Sequence, residues 1–435
     1  MKYSIYNSVI PIDKENSLLY NANSDKFLIL TRKAKEEIDK GLEYLTRENA
    51  SLLQNLCEVS AVVPAGVNEI VELQNKIKKV LEDDTCFELH INPTLDCNFN
   101  CWYCYEDHIK GSFMSKETLD STKKFISKTL DKRGLKRFHL SFFGGEPLLY
   151  FKRIALPLIQ YTLDRCVAKN IEFSSHFTSN GFLISDYTLK NIEGINVDFQ
   201  ITLDGDEVRH NKTRFLSGGK GSYEVICKNI KALAKQKHNV CLRINYTQQN
   251  IQCMSSILRS FEDAPQDVKK YINVDFQRVW QDSDSDSGTA DSLNSVLHKL
   301  IKEFSNAGFS CSFHKVQNNV VYPCYGDKKN NLLINYDGKV FSCTARNFTS
   351  ENSVGTLLSN GEISWKEHII EQRRSSKFSR TECHRCIIAP ICGGSCTQNA
   401  IEKSNVSGCL RGLSEEDKKQ VILDRFEFMF LNNDY

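Results

Sequence analysis

The sequence predicts an α/β protein: a partial (β/α)6 barrel with a small α+β module before it and a cysteine-rich region after it. Three observations lead there. From Cys86 onward, short β-rich runs alternate with amphipathic runs of helix length, the pattern of βα repeats with parallel strands. The first ninety residues read instead as three strands followed by three helices. Ten of the 17 cysteines fall in clusters of regular spacing, near residue 100 and beyond residue 324.

A chain of 435 residues has room for two or three domains. Its 56 basic and 54 acidic residues leave a net charge of +2, with no electrostatic footprint for nucleic acid or a membrane surface. Met1 to Asn7 lacks the apolar core of a signal peptide, and no apolar run approaches the roughly 20 residues of a membrane span. These features predict a soluble, cytoplasmic protein. In a reducing compartment, so many cysteines point to metal chemistry rather than disulfides. Cys57, Cys86, Cys166, Cys227, Cys241, Cys253 and Cys311 are scattered and read mostly as small buried hydrophobes.

In the first ninety residues the strand signals are Ser4 to Ile10, Leu18 to Asn21 and Phe27 to Leu30. Thr31 is placed to cap a helix through about Leu42, and Thr46 one through about Val59. Val62-Val63-Pro64-Ala65-Gly66 reads as a break, and Val67 to Leu81 as an amphipathic helix. The module has about the size of a winged-helix unit. It is either an extension packed on the main domain or a docking module that captures a peptide as an added strand. Its basic residues are interleaved with acidic ones, against DNA binding.

The barrel strands are predicted at Phe87–Pro93, Arg137–Phe143, Ile171–Thr178, Val197–Leu203, Val240–Tyr246 and Ile272–Val279. The helices between them are Ser115–Leu130, Phe151–Ala168, Ser185–Ile192, Ser222–Gln236 and Ile251–Phe261. In such folds chemistry sits on the loops after the strand C-termini. The first of those loops holds Cys97, Cys101 and Cys104, spaced C-x3-C-x2-C. At this cysteine content chance gives roughly 0.03 such triplets per chain. A cubane iron–sulfur cluster ordinarily takes four thiolates, so three leave one iron open, whereas a structural zinc site is closed by a fourth ligand. The second strand ends in Gly144-Gly145-Glu146-Pro147, where paired glycines let a ligand approach the backbone closely. The third and fourth strands end in Thr178-Ser179-Asn180-Gly181 and Thr202-Leu203-Asp204-Gly205. Singly these are turn signals; at successive strand ends beside a three-cysteine loop they predict a binding site.

After Trp280, the run Gln281 to Gly288 alternates Asp with Ser but departs from the EF-hand pattern, and reads as a solvated acidic loop before a helix from about Ser292 to Ala307. Tyr336-Asp337-Gly338-Lys339 signals a hairpin between Leu332–Asn335 and Val340–Cys343. Cys324 and Cys343 flank Gly338 as C-x13-G-x4-C, and Cys383, Cys386, Cys392 and Cys396 follow as C-x2-C-x5-C-x3-C, with Cys409 last. Zinc is the alternative reading of C-x2-C pairs, but seven cysteines do not divide into four-cysteine zinc sites.

The C-x3-C-x2-C triplet with Tyr103 before its last Cys, followed one strand later by Gly-Gly-Glu-Pro, resembles the radical S-adenosylmethionine (SAM) superfamily. The seven later cysteines resemble the SPASM extension found in peptide- and protein-modifying members. The resemblance implies that Cys97, Cys101 and Cys104 are the catalytic cysteines and hold a [4Fe–4S] cluster whose open iron takes the SAM amino and carboxylate groups. The backbone of Gly144, Gly145 and Glu146 would receive the SAM amino group and Tyr103 would lie against the adenine. Ser179, Asn180, Thr202, Asp204, Arg214 and Asn245 match further cofactor-binding positions, though Arg214 and Asn245 are also explicable as surface or barrel-layer polar residues. Two auxiliary [4Fe–4S] clusters are implied, an outer one on Cys383, Cys386, Cys392 and Cys409 and an inner one on Cys324, Cys343 and Cys396, whose fourth ligand is left open. The implied domains are a winged-helix-like leader-recognition module (1–84), a radical SAM partial barrel (85–310) and a SPASM domain (311–435). The implied function is reductive cleavage of SAM to a 5′-deoxyadenosyl radical that takes hydrogen from a precursor peptide carrying a leader, installing a thioether or carbon–carbon crosslink. An electron donor such as flavodoxin or ferredoxin is implied as partner. The alternatives are formylglycine formation as in anaerobic sulfatase maturases, peptide epimerisation, and a non-catalytic iron–sulfur protein. The sulfatase maturases place an Asp directly after the Cys of G-x4-C, where this chain has Thr344.

Overall fold

The computed structural model describes residues 1–216, 218–282, 290–312, 323–405 and 407–431. These divide into two compact units: one of residues 84–314 and 330–367, the other of residues 1–83, 315–329 and 368–435.

The larger unit is built on six parallel strands, β1 (Cys86–Ile91), β2 (Arg137–Phe142), β3 (Glu172–Ser179), β4 (Val197–Leu203), β5 (Val240–Tyr246) and β6 (Ile272–Arg278). They pair in sequence order. Ser310–Ser312 extends the sheet in parallel beyond β6, and Asn331–Ile334 pairs in parallel with the free edge of β1. Lys339–Phe341, Gly355–Leu357 and Ile363–Trp365 then continue it antiparallel. The mixed, largely parallel sheet is the α/β fold read from the βα alternation, and the hairpin at Gly338 (φ +78°) joins it.

Two of the helices between the strands begin at a serine that caps them. Ser115 and Ser185 accept from Thr118 N and Thr188 N, and their helices run Lys116–Leu130 and Asp186–Ile192. Two stretches differ from the expected α-helices. Phe151–Ala155 is a π-helical turn leading into Leu156–Ala168, where Pro157 lacks the N–H that an interior helical bond needs. Ile251–Phe261 is wound as 3-10 helix, burying Ile251, Met254, Ile257 and Phe261. Spacings of three keep Ile251, Met254 and Ile257 on one face in a 3-10 helix too, so the apolar pattern there does not separate the two forms. A helix at Glu207–Thr213, capped by Asp206, gives no apolar stripe in the sequence. The helix before the C-terminal hairpin spans Ala290–Asn306, whereas residues 283–288 of the acidic run lie outside the described residues.

The two faces of the parallel sheet differ. Phe87, Leu89, Ile91, Phe138, Leu140, Phe142, Phe177 and Phe199 are buried on one face. Phe142, Phe177 and Phe199 form a stacked ladder at 4.7 and 5.3 Å. Each such ring contributes about 2 kcal/mol by burial. The intervening positions are polar: Cys86, Glu88 and His90 on β1, Arg137, His139 and Ser141 on β2, Glu172, Ser174 and His176 on β3 line a cavity of about 500 Å³. Parallel strands usually read as apolar runs on both faces; here one face is polar.

In the smaller unit, Asn7–Pro11, Asn16–Asn21 and Lys26–Thr31 form a three-stranded antiparallel sheet, and Lys2–Tyr3 pairs with Val62–Val63, the stretch read as a break. Thr31 caps Arg32–Asp39 as expected. Thr46 caps nothing: it lies inside the helix Leu42–Glu48, its hydroxyl donating back to Leu42 O, and Asn49 caps Ala50–Glu58 instead. Gly41 (φ +96°) lets the chain turn into the first of these two helices, earlier than the threonine signal implied. The last N-terminal helix, Glu69–Leu81, is capped by Asn68.

Adjacent residues of the central strand serve two cores. Leu19 faces Leu30, Leu45, Leu52 and Leu56 under the N-terminal helices. Tyr20 joins Tyr6, Leu73 and Ile77 in a core completed by Phe378, Ile388, Ile391 and Ile422 from the C-terminal segment. Arg425, 2 % exposed at its side chain, is ion-paired to Asp25, which also accepts from Tyr20 Oη at 2.8 Å.

Candidate functional site

A cavity of about 260 Å³ opens where β1 to β5 end. Cys97, Cys101 and Cys104 form one wall, and Gly144, Gly145, Thr178, Ser179, Asn180, Thr202, Arg214 and Asn245 line it too. The loop after β1 and the turn after β2 are fastened through their backbones: Gly145 N donates to Thr94 O (3.1 Å) and Glu146 N to Asp96 O (2.8 Å). What the turn offers a cationic amine is therefore carbonyl oxygen rather than N–H. A Cβ at Gly145 would lie 2.6 Å from Asp96 C and 2.7 Å from Leu95 C, and Gly144 has φ +103°, so both positions require glycine.

Glu146 ties the turn to the next strand end. Its Oε1 accepts from Leu148 N (3.0 Å) and Ser179 Oγ (2.8 Å), and its Oε2 from Asn180 N (2.8 Å). Asn180 Nδ2 reaches back to Asn98 Oδ1 in the cysteine loop at 2.7 Å. Glu146 and Asn180 thus act as struts between three successive loops.

Opposite lies a polar cluster. Tyr103 Oη donates to Asp204 Oδ2 and accepts from Arg214 Nη1 at 2.7 Å. Arg214 is 8 % exposed and its guanidinium lies 5.9 Å from the centre of the Phe99 ring. Burial opposes the Arg214 charge, but Tyr103, Cys101 and Asp204 outweigh it and hold its pKa well above the ordinary arginine value. Burial also raises the Asp204 carboxyl, against the nearby Arg214 charge. The sequence named Tyr103, Asp204, Arg214 and Asn245; it missed His210, whose Nδ1 accepts from Asp204 N (3.3 Å) and whose Nε2 lies 3.0 Å from Ser222 Oγ, itself a donor to Arg214 O. Gln200, Arg243 and Gln281 also line the cavity, with Arg243 Nε bonded to Asn245 Oδ1 (3.0 Å) and Gln281 Nε2 to Tyr103 O (3.0 Å). Gln200 and Arg243 have a sequence signal, alternation onto the concave face; His210 has none.

The residues fit a cluster with a bound amino acid group. Burial first, then Glu146, pushes the Cys97 thiol up to about 12, so a thiolate there needs a metal's charge. Arg214 Nε is buried without a hydrogen-bond partner among the described residues, a donor available to a carboxylate. No three Cys, His, Asp or Glu side chains among the described residues converge on one metal ion. A cubane spreads its thiolates over separate corners, whereas zinc draws them together at about 2.3 Å from a single centre.

In the smaller unit Cys383 is raised to about 11, by burial and then by Cys392, Cys386 and Cys409, which places these four thiols within electrostatic reach of one another. Cys324 is raised to about 11 with Cys396 among its neighbours. Cys343 belongs to the larger unit.

Residues 91–260 match the radical SAM superfamily, and the chain carries a radical SAM domain, of the family that uses SAM and a [4Fe–4S] cluster. The chain is 22 % identical to the radical SAM cyclopropyl synthase TigE of Paramaledivibacter caminithermalis over 92 % of its own length and 86 % of that protein. It is 28 % identical to an uncharacterized Synechocystis protein, of which it spans 44 %. Its fold is similar to that of Streptococcus suis SuiB bound to precursor peptide SuiA (TM-score 0.54, 15 % identity, 95 % of this chain and 100 % of that one). It is also similar to anSMEcpe with bound AdoMet and Cp18Cys peptide (TM-score 0.57, 18 % identity, 79 % and 97 %). Among the described residues no helix is long and apolar enough to cross a membrane.

Proposed function

We propose that this protein is a radical SAM peptide maturase that crosslinks a precursor peptide. The observation that carries the reading is the cavity that places Cys97, Cys101 and Cys104 opposite the Gly144–Glu146 turn, with Tyr103, Asp204 and Arg214 beside them. The three cysteines would hold the [4Fe–4S] cluster, the turn's carbonyls the SAM amino group, and Arg214 its carboxylate; Ser179, Asn180, Thr202 and Asn245 complete the lining. Cluster and SAM together supply a 5′-deoxyadenosyl radical that removes hydrogen from an unactivated carbon, and the chain's part is to hold that carbon in place and exclude water. Cys383, Cys386, Cys392 and Cys409 would hold an auxiliary cluster; Cys324 and Cys396 of the smaller unit and Cys343 of the larger are further ligand candidates.

A peptide substrate is supported by the likeness to SuiB bound to precursor peptide SuiA, which runs over almost the whole chain. The likeness to anSMEcpe takes in nearly all of that protein but leaves a fifth of this chain over, which favours crosslinking over formylglycine formation. In the N-terminal sheet, Asn7–Pro11 and Lys26–Thr31 each pair on one side only, and such an edge accepts an extended leader as an added strand. The test is to incubate reconstituted, reduced protein with SAM and synthetic peptides translated from short reading frames beside its gene. Formation of 5′-deoxyadenosine with a peptide two mass units lighter is expected; full cluster loading without 5′-deoxyadenosine would refute the enzyme reading.

A further inference from the structure

The cavity at the strand C-termini and the polar cavity below it are joined through one strand. Residues two apart on β3 point to the same face, so Thr178 lines the upper cavity and His176 the lower. His176 Nε2 lies 3.2 Å from Thr178 Oγ1, and His176 Nδ1 lies 2.5 Å from Asp198 Oδ1, the residue opposite it on β4. A carboxylate facing Nδ1 fixes the proton there, because two acceptors do not share a short contact. Nε2 is then the acceptor and the Thr178 hydroxyl donates to it, from a residue that lines the upper cavity. The Asp198 side chain is 45 % exposed and in reach of water. The chain therefore has a direction: an accepting oxygen in the upper cavity, an imidazole in the middle, a hydrated carboxylate at the far end.

We propose that Thr178, His176 and Asp198 form a proton relay that deprotonates the substrate held in the upper cavity. The inference rests on the crosslinking reading. A crosslink sheds two hydrogens, one as an atom taken by the radical and one that must leave as a proton, its electron passing to the auxiliary iron–sulfur cluster of that reading. In the relay step, the substrate's S–H or C–H bond breaks heterolytically and its electron pair stays on the substrate. Thr178 Oγ1 takes the proton while its own passes to Nε2, and the imidazolium so formed is stabilised by Asp198. Loss of the Nε2 proton to water in the lower cavity, which His176 lines, restores the Nδ1–H tautomer held by Asp198. Thr178 is the group that meets the substrate, His176 takes the proton through it, and Asp198 is a positioning residue that fixes the His176 tautomer. The other charged or titratable groups lining the cavity with His176 are Cys86, Glu88 and His90 on β1, Arg137 and His139 on β2, and Glu172 on its own strand.

Two measurements test this. The first is the ratio of crosslinked peptide to 5′-deoxyadenosine, with the same synthetic peptides. Thr178→Val is expected to lower the ratio by about 10²-fold. Thr178→Ser, which keeps the hydroxyl, should restore it to within about threefold of wild type, as a merely space-filling role would not require. A Thr178→Val protein with the wild-type ratio overturns the relay. The second measurement needs no peptide: 15N spectra of histidine-labelled protein, assigned with His176→Gln, should show His176 as the Nδ1–H tautomer, losing that preference in Asp198→Asn. An Nε2–H tautomer in the wild type overturns the relay on its own. A wild type that modifies no peptide overturns the crosslinking reading, while the tautomer still decides the relay.

Discussion

Gly145→Ala is the sharpest test of how the site is built. The added carbon would meet Asp96 C at 2.6 Å and Leu95 C at 2.7 Å, both backbone atoms. Unstrained carbon pairs sit at about 3.5–4.0 Å, so the segment carrying Asp96, next to Cys97, has to retreat by about 1 Å. Overpacking of this kind costs about 1–3 kcal/mol. For a unit of this size 2 kcal/mol lowers Tm by roughly 4–8 °C. The retreat also stretches the 2.8 Å bond from Glu146 N to Asp96 O, and with it the spacing between the cysteine loop and the turn. A 1 Å error in positioning costs about 10² in rate. The assay is calorimetric melting of the cluster-free protein, followed by SAM titration and 5′-deoxyadenosine formation after reconstitution. Gly66→Ala is the control, since its added carbon would meet nothing within 4 Å. A Gly145→Ala protein that melts and binds SAM like wild type would show that the turn does not clamp the cysteine loop.

Arg214→Met should lower stability by about 3 kcal/mol and weaken SAM binding, because it leaves Tyr103 and the buried Asp204 without their cation; Arg214→Lys should recover part of both, as read by melting and titration. Arg425→Ala should cost about 3–5 kcal/mol, and hydrogen exchange should show the strand Lys26–Thr31 and the helix Glu415–Phe426 losing protection together; loosening of the helix alone would contradict the shared core. Burial lowers the His90 imidazole from 6.5 to about 4, partly offset by its bond to Asn331. A depressed folded value means stability that is present above pH 6.5 and lost as pH falls through 4, because the unfolded chain binds the proton first. His90→Gln should therefore flatten the fall in urea midpoint over that window, by about 1–2 kcal/mol given that the ring lines an open cavity.

The six barrel strands were legible because their apolar positions alternate strictly and their ends carry turn residues: Val197–Leu203 and Val240–Tyr246 match residue for residue. The cysteine loop and the glycine turn were legible because each is local. The struts that join them were not. Tyr103 and Arg214 are 111 residues apart and His210 meets Asp204 through its ring, relations that only the closed sheet creates. Thr46 shows the limit of capping signals: a threonine serves equally inside a helix when its hydroxyl can bond back to a carbonyl, and Asn49 competes three residues later. The polar concave face was written plainly in Cys86, Glu88, His90 and Arg137, His139, Ser141, yet single strands with polar alternation look the same whether they face bulk water or an enclosed cavity.

The core that Tyr20 shares with Ile388, Ile391 and Ile422 bears on how the chain is made. Asp25 and its partner Arg425 are 400 residues apart, so on a ribosome the first sheet waits roughly 20–80 s for the segment that covers it. During that interval Tyr6, Ile10 and Tyr20 lack their final neighbours, and the nascent chain depends on the three N-terminal helices and on chaperones to shield them. Truncating the first 83 residues of the finished protein would expose the opposite half of the same core. Single substitutions on the sheet edge therefore probe leader capture more cleanly than removal of the module, which would report mostly on aggregation.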